Sequence, residues 1–420
     1  MPEPGGDESR PGYAMAVCAA IATITVGAHV ATALISAHGA GVGLSELGAY
    51  FDGHLYLEIA RSFPLPFSPD GLDYTGQAPG YPAFAWLLRA LLPDAWIDWG
   101  GVLLLASWLP AGAATAIFYA VCRELGAPAL WPTALFAVGN PRLFTMAASS
   151  HPEPLALCLA LLALLAFLRG RLGWCLAWIT LAGFTRFAAF LVLAPLLAAT
   201  VLRERRLDLR TLALFAIPPA LFALYLAYLH ARVPAFVSVA ESHRVFWQTH
   251  FTWPFRALVR SFDSTLWSST HPSFQLTYAS LGFYLAMLGA GVTMALRSRR
   301  PETWLLTLWI AIVLGVHVSL AGVLGAWDFM RLTALAWPAA LLLLALGVGR
   351  DLPRGAAAAL TVLLLCGSGL YARAQMTEAA AWQRDSQAWF LPETLATLDS
   401  NEPRWIDFRA RAAATSRGEP

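Results

Sequence analysis

The chain contains no lysine; all 28 of its basic residues are arginine. Charge of either sign is scarce, at 13% of 420 residues, against roughly 25% in an ordinary soluble domain. A net charge of +2 without a basic stripe excludes a nucleic-acid partner. The five cysteines, Cys18, Cys122, Cys158, Cys175 and Cys366, lie in apolar segments with no CxxC pair or His/Cys cluster. That excludes a disulfide framework and a thiolate metal site, and leaves them as small core residues. The opening "MPEPGGDESRPGY" lacks the basic region and small-residue cleavage site of a signal peptide, so the first apolar helix is expected to be retained.

What is abundant is apolar sequence, 58% of the chain. Runs approaching the ~20 residues that cross a bilayer recur from end to end, so the reading is an all-α polytopic membrane protein. Spans are expected near 13–36, 100–121, 128–145, 153–168, 172–185, 187–202, 211–230, 273–296, 302–323, 332–349 and 355–372, about eleven in all. "RGR" (169–171), "RERRLDLR" (203–210), "RSRR" (297–300) and "GRDLPR" (349–354) occupy alternate loops, which the positive-inside rule assigns to the cytoplasm together with the N-terminus. The outer face then receives a structured first loop (37–99) with interfacial helices, a turn at 140–152, a long loop (231–271), a turn at 324–331 and a short polar tail (373–420). Residues 1–372 form one transmembrane domain.

The polar residues that invite chemistry gather on that outer face. In "YFDGHLYLEIARSF" (50–63), Asp52 opens a helical pattern with Leu55, Ile59 and Ser62 on one side and His54, Glu58 and Arg61 on another. Asp52 is either the N-cap of that helix or a base held ionised at its positive end. The turn "DYTGQAPGYP" (73–82) fixes Asp73, Gln77 and Tyr81 before a short apolar helix over 83–92, or simply folds the loop back onto the membrane. The turn "GNPRLFTMAASSHPEP" (139–154) carries Asn140, Arg142, His151 and Glu153, with Glu153 at the start of a helix. Lipid headgroups would satisfy those charges equally well.

Arg186 lies between apolar halves with no acid nearby in sequence, and Arg331 opens a span three residues after Asp328. Charge at membrane depth costs at least ~2.5–3.5 kcal/mol, which makes both functional candidates, although Arg331 could pair with Asp328 or snorkel. The aromatic loop 241–267 reads as an interfacial amphipathic helix or as a lid over a lipid-accessible cavity.

Taken in order, "YFDGHLYLEIA", "QAPGYP", "NP…HPEPLAL" and "TRFAAFLVLAPLL" resemble the GT-C superfamily of integral-membrane glycosyltransferases, and most of all its PIG-V-like mannosyltransferases, over roughly 13–350. Asp52, Tyr56, Ile59, Ala60, Tyr81 and Pro82 fall on the family pattern. The chain departs from it at His151-Pro152-Glu153, where the family often has Ser-Glu, and at Gly80, where it usually has Leu. The resemblance implies transfer of a sugar, mannose first, from a polyprenyl-phosphate donor to a hydroxyl of a cell-envelope acceptor, whether glycolipid, polysaccharide or protein. The anomeric carbon is inverted. Asp52 would be the general base; Arg331, Arg186 and His54 would hold the donor phosphate; Gln77, Tyr81, His151 and Glu153 would bind substrate. Neither cofactor nor metal is implied, since Asp52 and His54 lack a third ligand. The implied location is a bacterial plasma membrane with the site on its outer face, among membrane lipids.

A transporter or flippase of lipid-linked intermediates is the main alternative. Bland cytoplasmic loops weigh against it, because alternating access needs polar groups along both halves of a path, and no inverted repeat is visible. A non-catalytic envelope scaffold is the third reading, opposed by Arg186 at depth.

Overall fold

A computed structural model of the protein describes residues 11–49, 52–63, 76–93, 96–206, 208–233, 236–247, 250–256, 272–321, 329–349 and 352–385. The described chain is α-helical apart from one two-residue antiparallel pair, β1 (His250–Phe251) with β2 (Leu320–Ala321). Its helices are α1 (Pro11–Ala40), α2 (Leu44–Leu47), α3 (Gly53–Ser62), α4 (Gly80–Leu91), α5 (Trp99–Glu124), α6 (Leu130–Val138), α7 (Pro141–Ala148), α8 (Glu153–Leu168) and α9 (Leu172–Thr185). A 3-10 segment (Phe187–Val192) leads into α10 (Leu193–Glu204), followed by α11 (Leu209–Arg232), α12 (Val239–Trp247), α13 (Pro272–Ser298), α14 (Pro301–Val318), α15 (Phe329–Leu332), α16 (Trp337–Val348) and α17 (Arg354–Asp385).

Helix starts follow local chemistry. Asp98 caps α5 by accepting from Gly101 N at 2.9 Å, Asp208 caps α11 through Thr211 N at 2.7 Å, and Asn140 caps α7 through Leu143 N at 2.9 Å with Pro141 next. The core lies where α5, α8, α9, α14 and α16 meet, and it includes Phe118, Leu161, Ile179, Trp309 and Leu342. Around it α1, α11, α13 and α17 turn exposed apolar residues such as Ile24, Leu224, Leu296 and Leu363 outward. Contiguous apolar surface of that kind suits hydrocarbon rather than water.

Seven helices are long and apolar enough to cross a bilayer, or eight if α7 and α8, bent 110° to each other, count as one broken span. The expectation of eleven is therefore not matched helix for helix. The apolar run at 128–145 is divided at Gly139-Asn140-Pro141, where a cap and a proline start a new helix, and α9 and the Ala334–Val348 segment are short. The boundary expected at 372 also shifts. Hydropathy falls there, but alanine, glutamine and methionine sustain helix, and α17 runs on to Asp385.

Two ends can be told apart. Arg169 pairs with Glu124, and Arg203 with Glu302, which gathers the arginine-rich loops at one end. Asp52, Glu153, Arg186 and Arg331 meet at the other.

Candidate functional site

The site begins with a close backbone approach. A Cβ on Gly53 would lie 2.5 Å from Gly48 O and from Ser150 Oγ, so only glycine lets the start of α3 settle against Gly48 and the α7–α8 bend. Ser150 Oγ donates to Gly48 O at 2.5 Å across the same contact. Behind it, α3 buries Tyr56, Ile59 and Ala60, while Glu58 and Arg61 are exposed. Of the side expected to group Leu55, Ile59 and Ser62, only Ile59 is buried; Ser62 is exposed and Leu55 half-buried, because Asp52, Tyr56, Ile59 and Ala60 share the packed side of the helix.

Asp52 stands at the N-cap position of α3 but makes no side-chain cap bond. Its Oδ2 instead accepts from Arg331 Nη2 at 2.5 Å. The capping alternative is thereby replaced by an ion pair across the fold. Arg331 Nε donates to Glu153 Oε1 at 2.6 Å, and Arg186 Nη1 donates to that same oxygen at 2.5 Å. The result is a chain of alternating charge, Asp52–Arg331–Glu153–Arg186, drawn from four separate segments. Two of those acids answer the puzzle of Arg186 and Arg331, neither of which needs a sequence neighbour as partner.

Glu153 is the hub. It is the first residue of α8, 1% exposed, and its Oε2 has no hydrogen-bond partner among the described residues. A buried, unfilled acceptor beside two guanidinium groups is uncommon, because leaving such an atom unmet costs about 1–3 kcal/mol.

A neutral network holds the bend that presents Glu153. Ser107 Oγ accepts from His151 N at 2.9 Å and lies 3.0 Å from both His151 O and Tyr81 Oη, while Tyr81 Oη donates to Leu103 O at 2.8 Å. Ser149 Oγ donates to Thr145 O at 2.8 Å, so its oxygen accepts from His151 Nδ1 at 2.9 Å. That selects the Nδ1–H tautomer and leaves Nε2 as the acceptor. Tyr56 Oη donates to Gln77 Oε1 at 2.8 Å, orienting the amide, and the Tyr56 and Tyr81 rings meet edge to face at 5.1 Å.

The proposed substrate binders thus divide. Glu153 and His151 stand in or beside the charge chain; Gln77 is tied to Tyr56; Tyr81 is fully buried with its hydroxyl engaged by Leu103 O and Ser107. Asn140 caps α7, and Arg142 donates to Gln375 Oε1 at 3.1 Å on α17. The side chain of His54, Asp73 and Asp328 lie outside the described residues. Gly80 has a steric reason to be glycine: a Cβ there would lie 2.8 Å from Phe184 O, where α4 starts against the end of α9.

Sequence reasoning missed Gly53, Ser107 and His243. His243, on α12, has its Nε2 3.1 Å from Gly76 O, and feels the charges of Arg186, Asp52 and Arg331. The described part of the loop read as either an interfacial helix or a lid is therefore packed at this end of the molecule.

Electrostatics favour an ionised Asp52. Burial alone would push its carboxyl up, but the Arg331 guanidinium outweighs that and holds it below the ordinary value. Burial, with Asp52 nearby, pushes the Tyr56 hydroxyl well up, so it stays a neutral donor. Burial also lowers His243, which favours its neutral form.

Fold and site together define a helical membrane protein with a cluster of arginine–carboxylate pairs around the buried Glu153 at one end of its bundle. No protein-family model matches the chain, and no curated protein matches it.

Proposed function

We propose that the protein is an integral-membrane glycosyltransferase of the GT-C type, passing a sugar, mannose first, from a polyprenyl-phosphate donor to a hydroxyl of a cell-envelope acceptor. The observation that carries this reading is the convergence of an ionised carboxylate, two arginines and an unfilled buried carboxylate oxygen at one end of a lipid-embedded bundle. A lipid-linked donor can reach such a place from the bilayer, and the opposite, arginine-rich end would face the cytoplasm.

In the step we envisage, Asp52 accepts the acceptor's hydroxyl proton as the oxygen attacks the anomeric carbon. The new C–O bond forms as the bond to phosphate breaks, and its electron pair leaves on the phosphate oxygen. The site's total charge is unchanged: Asp52 loses one negative charge on protonation, and the phosphodiester monoanion leaves as a monoester dianion. Arg331 and Arg186 stabilise that growing charge, with a planar fork suited to phosphate oxygens. Glu153 Oε2 would accept from a sugar hydroxyl once the donor has entered the cluster. His54 and His151 complete the donor site, and Gln77 lines it. The scheme needs neither metal nor cofactor.

The test is transfer of labelled mannose from polyprenyl-phosphate-mannose by the purified protein into envelope extract, alongside mass spectrometry of the envelope from a strain lacking it. A product one hexose short in that strain, restored by the parent and not by Asp52→Asn, is expected. An unaltered envelope together with no transfer from any lipid-linked sugar would sink the reading.

A further inference from the structure

We infer that Asp52 and the phosphate of the lipid donor compete for the Arg331 guanidinium, so that donor binding itself frees the base. This rests on the glycosyl-transfer reading above. The starting point is charge balance. Among the described residues, Arg331 and Arg186 are met by Asp52 and Glu153, so these four side chains together carry no net positive charge to offer an incoming phosphate. An anion entering there gains full hold of a guanidinium only if a carboxylate gives way.

Which one yields follows from how each is held. Glu153 is 1% exposed and gripped by both arginines through Oε1. Asp52 has a side chain 21% exposed, makes no cap bond to α3, and meets only Arg331 of the two arginines. Exchange there replaces one charge-assisted hydrogen bond by another, which keeps its cost small. Once off the guanidinium, Asp52 loses the charge that holds its proton affinity down and becomes a stronger base. Base and leaving-group site are thereby assembled by the same event. After transfer, Asp52 is neutral and the dianionic phosphate has both arginines; when Asp52 sheds its proton, it competes again and helps expel the product.

The exchange predicts that removing the catalytic carboxylate improves donor binding. A self-occupied site lowers apparent affinity by the fraction of open molecules, so a contact formed about nine-tenths of the time weakens binding about ten-fold. The probe is a prenyl methyl phosphodiester, which stays monoanionic, titrated into the full chain in nanodiscs. The parent should bind it, and Asp52→Asn and Asp52→Ala should each bind it about ten-fold tighter. In an Arg331→Gln background, the same replacements should change nothing. In the parent itself, affinity should rise as acid protonates Asp52, which faces Arg331, His151 and Glu153.

Binding by the parent that is equal to or tighter than that of both Asp52 variants overturns the exchange. So does tightening that persists without Arg331, which would mean long-range charge and not competition, and so does an affinity in the parent that fails to rise in acid. Failure of parent and variants alike to bind the probe removes the lipid-phosphate reading itself, a separate result from either.

Discussion

The protein has two sets of arginine–carboxylate pairs at opposite ends, and they differ in surroundings more than in chemistry. Arg203–Glu302 closes to 2.9 Å and Arg169–Glu124 to 3.3 Å, with side chains 27–48% exposed. Arg186–Glu153 and Arg331–Glu153 close to 2.5 and 2.6 Å with Glu153 sealed at 1%. The exposed pairs exchange water for a partner at little gain, about 0–1 kcal/mol each. In the buried cluster, desolvation has already been incurred, so removing one member strands another charge where water cannot reach it. A stabilising strut would be better built from apolar side chains, so four charges gathered around one sealed carboxylate point to use.

The largest effect should come where the charge is used directly. Asp52→Asn keeps size but can neither take a proton nor pair as a charge; transfer should fall by about 10²–10⁴-fold, as for loss of a general base, while thermal unfolding in detergent shows only the modest loss of the ion pair with Arg331. Undiminished transfer would reduce Asp52 to a strut. Next, Glu153→Ala strips the shared partner from two arginines, and should cost about 3–5 kcal/mol, read as a large drop in melting temperature. If that variant unfolds within a degree or two of the parent, the buried cluster is no different from the exposed pairs.

The comparison also explains what could be read in advance. Asp52, Glu153, Arg186 and Arg331 were all legible as charge in a charge-poor chain, because a charge near lipid calls for a reason. Their partnerships were not. The pairs join residues 33, 178 and 279 positions apart, and helical spacing carries no information over such distances. α3 and α4 were readable from periodicity and the proline turn. The division of 128–145 was hidden by a window that averages across Asn140-Pro141. Gly53 was invisible because its importance is an empty Cβ position, defined only by Gly48 and Ser150 arriving there.

Gly53→Ala tests that placement without touching a charge. Its methyl would meet a backbone carbonyl that cannot swing aside, so about 1–3 kcal/mol of stability should be lost, with transfer falling as the start of α3 carries Asp52 out of line with the acceptor hydroxyl. An alanine variant with the parent's stability and activity would show that the approach is looser than 2.5 Å.

pH separates the two ends more gently. Asp52 has a folded-state value below its unfolded one, so its stabilising share is complete above the ordinary value of about 3.9 and fades only as pH falls through the lowered one. The Arg331 guanidinium facing it acts in that direction, whereas burial and Glu153 oppose it. The stability difference between the parent and Asp52→Asn should therefore persist at about pH 4 and close below it. Closure already at about pH 5 would mean that Arg331 does not hold the carboxylate in solution.

The smallest effect is expected at the other end. Glu124→Ala removes the partner of Arg169, whose side chain is 48% exposed and keeps water once alone. Stability should change by less than about 1 kcal/mol and transfer not at all, with the little that is lost disappearing in high salt. Glu302→Ala should cost somewhat more, because Glu302 also lies in the first turn of α14, where a negative charge meets the free N–H groups of the helix start. If either change cost as much as Glu153→Ala, exposure would not be what separates the two ends, and burial could no longer be the reason for assigning function to one of them.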